Sequence, residues 1–174
     1  MLPIKLLVLD VDGTLTDGGL YLDSTGNEMK KFSVRDGAGL MLARAAGIRV
    51  MILTGRESEP VRRRAAELHL DWCVQNCKDK RAYLAAFLAE QGLSKEQAAY
   101  VGDDWNDLAA MQLCGFVACP ANAAPEVAAL ADYVCPQKGG DGAVRGAVEY
   151  LLRGAGLFET TLKAAFGAEV PSHV

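Results

Sequence analysis

Acids at the ends of apolar runs carry most of the chemical potential of this 174-residue chain. The run Leu6 to Leu9 leads directly into Asp10, and Asp12 follows after one residue, ahead of Gly13 and Thr14. A second run, Ala98 to Val101, ends in Gly102-Asp103-Asp104-Trp105-Asn106-Asp107, three acids within five positions. Between these two, Arg49 to Thr54 ends in Thr54-Gly55-Arg56, and Lys78 and Lys80 open a helical stretch after Asp71 to Val74. Carboxylates so placed can attack an electrophile and form an acyl intermediate, carry a proton, or hold a hard cation such as Mg²⁺ through oxygen. An Asp pair can also merely cap a turn, and a lysine at a helix start can simply be solvated. Four such clusters, each closing a strand-like run, argue instead for one shared site.

The elements that position them alternate along the chain. Strands are expected at Lys5 to Leu9, Val50 to Leu53, Asp71 to Val74, Ala99 to Val101, Val117 to Ala118 and Tyr133 to Val134. Helices are expected to begin near Asp36, Ser58, Asp79, Asn106 and Ala124, with another at Gly142 to Arg153, and Ser94 to Gln97 reads as a capping box. This rhythm predicts an α/β fold, a Rossmann-like parallel sheet with helices on both faces. In such sheets ligands bind beyond the carboxyl ends of the strands, where Asp10, Thr54 and Asp103 would stand.

The Asp-x-Asp-Gly-Thr opening, the strand-end Thr54, the helix-start lysine and the Gly-Asp-Asp-x-x-Asp closure, in that order, resemble the haloacid dehalogenase-like phosphohydrolases. The resemblance implies that Asp10 is the nucleophile, Asp12 the general acid and base, and Thr54 and Lys80 the groups that hold the phosphoryl oxygens. Lys80 fits the family spacing better than Lys78. Mg²⁺ would be held by the Asp10 and Asp103 side chains and the Asp12 backbone carbonyl. Asp104 and Asp107 would be outer-shell groups orienting Lys80 or metal-bound water, in roles the sequence does not separate. The physical requirements agree: phosphomonoester cleavage needs an in-line nucleophile, positive charge on the phosphoryl oxygens and a proton for the leaving alkoxide.

One segment interrupts the alternation. Gly18 to Val34 has two β-like arms around Asp23-Ser24-Thr25-Gly26-Asn27 and reads as a hairpin. Only 43 residues lie between Asp10 and Thr54, and the hairpin, a helix and a strand consume them, so the expected fold is capless with a protruding β-hairpin after the first strand. A bare ribbon presents unpaired edges and is best explained by pairing with copies of itself, although it could be a flap on a monomer. This architecture, with Thr16-Asp17-Gly18, Phe32, Arg35-Asp36-Gly37, Thr54-Gly55-Arg56, Arg62-Arg63-Arg64 and Gly139-Gly140-x-Gly142-Ala143-x-Arg145, resembles the 3-deoxy-D-manno-octulosonate 8-phosphate phosphatases. It implies a homotetramer assembled through the hairpin, a phosphorylated sugar acid as substrate and a role in lipopolysaccharide biosynthesis.

Substrate choice would turn on Arg56, beside Gly55, because arginine can pair bidentately with a sugar carboxylate that a glutamate would repel. Arg56 could instead form an ion pair with Glu57 or Glu59. Arg64 and Arg35 are further candidates for the carboxylate. Asn106 departs from the eight-carbon pattern toward that of phosphatases for nine-carbon 2-keto sugar acids. A broad-specificity sugar phosphatase would carry the same catalytic motifs, and a non-catalytic assembly module could keep the same scaffold.

Composition sets bounds. The length suits one domain, with a core at 1–153, the hairpin flap at 18–34 and a C-terminal tail at 154–174, docked as a helix or disordered at its end. The net charge of -4 gives no electrostatic case for nucleic acid or an anionic membrane. No apolar run approaches a membrane span, and the start lacks a signal-peptide pattern, so a cytoplasmic location is expected. The five cysteines read as reduced thiols, and the glycines near Gly139 read as hinge-like.

Overall fold

The computed structural model describes residues 4–167. Six parallel strands form one sheet in the order β5-β4-β1-β6-β7-β8, with β1 (Leu6–Leu9), β4 (Arg49–Leu53), β5 (Trp72–Val74), β6 (Ala98–Val101), β7 (Phe116–Cys119) and β8 (Tyr133–Val134). The short ribbon of β2 (Tyr21–Leu22) and β3 (Glu28–Met29) lies outside it. Strand side chains alternate between two apolar layers. Leu7, Leu9, Val50, Ile52, Ala99 and Val101 face one, and Leu6, Val8, Met51, Leu53, Ala98 and Tyr100 face the other. Both faces are covered, which is why these strands read as nearly unbroken apolar runs.

The first layer is closed by α1 (Val34–Ala45), α2 (Glu59–Glu67), α6 (Ala143–Gly154) and α7 (Phe158–Phe166), and the second by α3 (Lys80–Glu90), α4 (Leu108–Met111) and α5 (Pro125–Leu130). Caps set several starts. Ser33 accepts the Arg35 N–H ahead of α1, Asp79 accepts the Ala82 N–H at 2.8 Å ahead of α3, and Ser94 with Gln97 forms a capping box around a 3₁₀ turn, Lys95–Gln97. The tail is in part a packed element: Phe158 and Thr161 of α7 are buried, and α7 lies against α1. Residues 168–174, where the end of the tail falls, lie outside the described residues.

The chain runs from β1 outward through β4 and β5, then returns to the other side of β1 for β6, β7 and β8. Strand order therefore reverses between β1 and β6, and the crevice beyond their carboxyl ends is the expected place for a ligand. The register pairs Leu9 with Ile52 and with Val101, so Asp10, Thr54 and Asp103 all emerge at this edge. Only the ribbon and α1 separate β1 from β4.

Candidate active site

Asp10 leaves β1 with its N–H bonded to the Val101 carbonyl at 3.0 Å, which ties the acid loop to β6. The loop is then pressed against the Asp103 loop. Thr14 Oγ1 donates to Asp103 Oδ1 at 2.8 Å, and a Cβ on Gly13, at φ 97°, would fall 2.0 Å from Asp103 Oδ2. Only glycine permits that approach. From the other side, a Cβ on Gly139 would fall 1.6 Å from the Gly13 carbonyl oxygen, and the Gly140 N–H bonds the Thr14 carbonyl at 3.0 Å. The glycines near Gly139, hinge-like by composition, are instead a brace packed on the acid loop.

Lys80 sits among the acids with its side chain 3% exposed. Its Nζ donates to Asp10 Oδ1 at 2.5 Å and to Asp107 Oδ1 at 2.7 Å, whereas Lys78 reaches the Gly55 carbonyl. Fully buried Asp107 also accepts the Tyr100 hydroxyl on Oδ1 at 2.7 Å and the Asp103 N–H on Oδ2 at 3.2 Å. This separates the two outer acids. Asp107 fixes Lys80 and the Asp103 loop, while Asp104 is exposed and accepts the Trp105 N–H. Thr54, 2% exposed, is held at the end of β4 by backbone bonds to Val74 and Cys77.

Carboxylate oxygens of Asp10, Asp103 and Asp107 lie within 4.8 Å of one another. Burial first, then Asp107, pushes Asp10 up to about 7 against the pull of Lys80. Burial likewise pushes Asp103 up to about 6, with Asp107 and Asp104 adding to it and the Thr14 hydroxyl opposing. Burial disfavours the Lys80 ammonium, but Asp10 and Asp107 outweigh it and the pKa ends above its ordinary value. Three crowded acids facing one ammonium form an oxygen-rich site short of positive charge, which a divalent cation fits. Asp107 already has donors on both oxygens, leaving Asp10 and Asp103 as the side chains to hold it.

A pH-dependent stabilisation follows. Both acids have folded pKa values above the ordinary range, so without metal their contribution to stability is fully present below about pH 4 and is lost as pH rises through about 6 to 7. Mg²⁺ held by these two side chains would bind the ionised pair. At about 100 times its Kd it should add ~2.7 kcal/mol at pH 8, raising Tm by roughly 5–10 °C, and much less at pH 5. Thermal unfolding with Mg²⁺ or EDTA at both pH values checks this, and equal increments would contradict it.

Two residues that the sequence pattern does not single out belong here. Lys30 and Glu28, on the hairpin, reach the acid loop. Lys30 Nζ bonds Asp12 Oδ1 and lies 3.3 Å from Glu28 Oε1, while Glu28 accepts from Ser58 Oγ at 2.6 Å and Arg56 Nη2 at 3.0 Å. Arg56 Nε is also 3.8 Å from Asp12 Oδ2, so the ion partners of Arg56 are Glu28 and Asp12 rather than Glu57 or Glu59. The other two arginines are not brought to the acids. Arg64 bonds Glu67 at 2.9 Å and the Ser33 carbonyl at 3.4 Å, joining α2 to the start of α1. Arg35 lines a separate cleft of about 310 Å³ with Gln137, Asp141 and Arg145. A larger cleft of about 650 Å³ lies between the hairpin tip and the start of α2, lined by Asn27, Glu28, Ser58 and Arg62 among others.

Comparison with known proteins agrees with this geometry. Residues 27–115 match the family model of the haloacid dehalogenase-like hydrolases. The 3-deoxy-D-manno-octulosonate 8-phosphate phosphatase of Escherichia coli K12 is 40% identical over 153 residues, 88% of this chain and 81% of that protein. The Haemophilus influenzae enzyme of the same name is 38% identical over 88% of this chain and 85% of its own length. Among solved structures, the Moraxella catarrhalis phosphatase in complex with magnesium ion, phosphate ion and KDO superposes with a TM-score of 0.89 at 38% identity, covering 92% of each chain. The cobalt-bound Haemophilus influenzae phosphatase gives 0.86 at 37% identity, over 91% of this chain and 92% of its own.

Proposed function

The chain belongs to the haloacid dehalogenase-like hydrolases and, within them, to the 3-deoxy-D-manno-octulosonate 8-phosphate phosphatases, and from that premise we propose that it hydrolyses this eight-carbon sugar phosphate with Mg²⁺ through an aspartyl phosphate on Asp10. The observation that carries the reading is Lys80 bridging Asp10 and Asp107 beside Asp103, at the crevice where strand order reverses.

Asp10 attacks phosphorus as the bond to the sugar oxygen breaks, and protonated Asp12 gives its proton to that departing oxygen. The Asp12 carboxylate then takes a proton from water as the water oxygen attacks phosphorus and the bond to Asp10 breaks, releasing inorganic phosphate. Lys80 and the Thr54 hydroxyl stabilise the phosphoryl oxygens. Asp10, Asp103 and the Asp12 carbonyl would hold Mg²⁺, which when bound supplies positive charge to those oxygens. Asp107 keeps Lys80 in place. The reading sets the enzyme in the cytoplasm as a homotetramer of single-domain subunits; among the described residues no helix is long and apolar enough to cross a membrane.

Arg56, about half exposed and next to Asp12, is the proposed contact for the sugar carboxylate. A charge-assisted hydrogen bond contributes ~1.5–3 kcal/mol, so Arg56→Glu should lower kcat/KM for the eight-carbon substrate by at least roughly 10–100-fold while leaving a carboxylate-free aryl phosphate within a few-fold. Parallel assays of wild type and variant on eight- and nine-carbon 2-keto sugar phosphates test the proposal. A wild-type preference for the nine-carbon ester would replace the substrate assignment, and no Mg²⁺-dependent hydrolysis of any ester, aryl phosphate included, would return the chain to a non-catalytic role.

A further inference from the structure

The Lys30 side chain is only 1% exposed, whereas Met29 beside it on the same ribbon is 60% exposed. Lys30 directly follows β3 and its Nζ lies 3.3 Å from Glu28 Oε1, so the two side chains share one side of the ribbon and Met29 takes the other. That shared face meets the acid loop. A buried ammonium just beyond a two-residue strand is expensive to maintain unless it is paired, and Lys30 is paired twice, with Asp12 and with Glu28. Glu28 is in turn fixed by Ser58 at the start of α2 and by Arg56. Three separate segments thus converge on the Asp12 carboxylate: its own loop, the hairpin, and the turn after β4.

The two cations facing Asp12 differ in kind. Arg56 is 48% exposed, 3.8 Å from Asp12 and shared with Glu28 at 3.0 Å, so an anionic ligand must draw it from these carboxylate partners, whereas Lys30 is enclosed and in direct contact. We infer that Lys30 is a positioning residue for Asp12, holding its carboxyl group within reach of the departing sugar oxygen and then of the attacking water while Arg56 is drawn away by substrate. The inference deepens the proposed function and rests on Asp12 as the acid and base. It makes the hairpin part of the proton-transfer apparatus of its own subunit, independently of any neighbour. Through Lys30 the ribbon sets where the proton is delivered; Asp10, Lys80 and Asp103 are held without it.

Lys30→Met removes the ammonium at similar length. With the sugar phosphate, whose alkoxide must be protonated, kcat should fall roughly 10²-fold with KM within about threefold. With 4-nitrophenyl phosphate, whose leaving group needs no proton, transfer to Asp10 should survive while hydrolysis of the aspartyl phosphate slows. Stopped-flow traces should then show a burst of nitrophenolate approaching one per site, followed by a slow phase. Lys30→Arg should recover part of the loss. A purely structural role predicts equal loss in both phases and no burst, and that result, or a kcat within twofold of wild type, would overturn the inference. If Lys30→Met does not fold, the same two phases are read on Lys30→Gln, where an unsplit loss overturns it equally. Asp12→Asn serves as the reference. If it too lacks the burst, the role given to Asp12 fails; if it shows the burst and Lys30→Met does not, only the inference fails.

Discussion

Asp10→Asn is expected to lower turnover of any phosphomonoester by roughly 10⁴-fold or more, the scale seen when a covalent nucleophile is removed. The same variant should fold at least as well as wild type in EDTA at pH 8. The substitution hardly changes volume, Lys80 retains Asp107 at 2.7 Å, and one of three crowded acids loses its charge. Burial and Asp107 together disfavour ionised Asp10, so neutralising it relieves the metal-free fold in the pH range where the wild type is most strained. The Tm increment from Mg²⁺ should shrink in parallel, because one of the two candidate side-chain ligands has lost its charge. Activity assays and thermal unfolding on one preparation check both halves. Retention of more than a small fraction of activity would remove Asp10 from the nucleophile's role, and a large loss of Tm in EDTA would mean that its charge supports the fold. Asp12→Asn should also be severely impaired, yet it should still form the aspartyl phosphate with an activated ester.

Strand ends were legible in the sequence because a buried parallel strand leaves a one-dimensional signature, an apolar run that ends abruptly in polar residues. Asp10, Thr54 and Asp103 stand at such ends, and Lys80 was separable from Lys78 only by the spacing of the family it resembles. What the sequence concealed depends on side-chain direction. Tyr100 reads as one more core residue of β6, and only the turn of the Asp103 loop brings Asp107 back onto its hydroxyl. Lys30 carries no signal of its own, since it follows a two-residue strand with too little alternation to show which side the next residue takes. Arg64 sits in a run of three arginines whose helical phases cannot be ranked without knowing that α2 packs over the start of α1. Gly139 is similar: composition reports the absence of a side chain but not whether that absence serves motion or a 1.6 Å clash avoided.

Deleting Tyr21 to Lys30 and closing the gap with a short glycine-containing turn is expected to convert the proposed homotetramer into smaller species that still bind Mg²⁺ but hydrolyse the sugar phosphate at least roughly 10²-fold more slowly. The ribbon has only two paired residues per strand, and an isolated hairpin of that size is marginal in water. It nevertheless exposes Leu20 at 58%, Leu22 at 63% and Met29 at 60%, an apolar surface that a solvated flap does not require. Phe32, at the end of the hairpin, packs instead against the core layer of its own subunit and adds nothing to that surface. With no cap domain between β1 and β4, a large substrate must find its outer wall elsewhere, and a neighbouring copy held by these residues is the nearest source. The deletion also removes Lys30, so assembly and proton delivery are lost together. Leu22→Glu with Met29→Glu separates them, leaving Lys30 and Glu28 in place while setting like charges against any copy that pairs there. Sedimentation of this double variant should show dissociation, with KM for the sugar phosphate rising more than 4-nitrophenyl phosphate hydrolysis falls. A wild-type protein that sediments as a monomer at micromolar concentration with full activity on the sugar phosphate would dispose of the assembly and leave the outer wall of the site to be found within one chain.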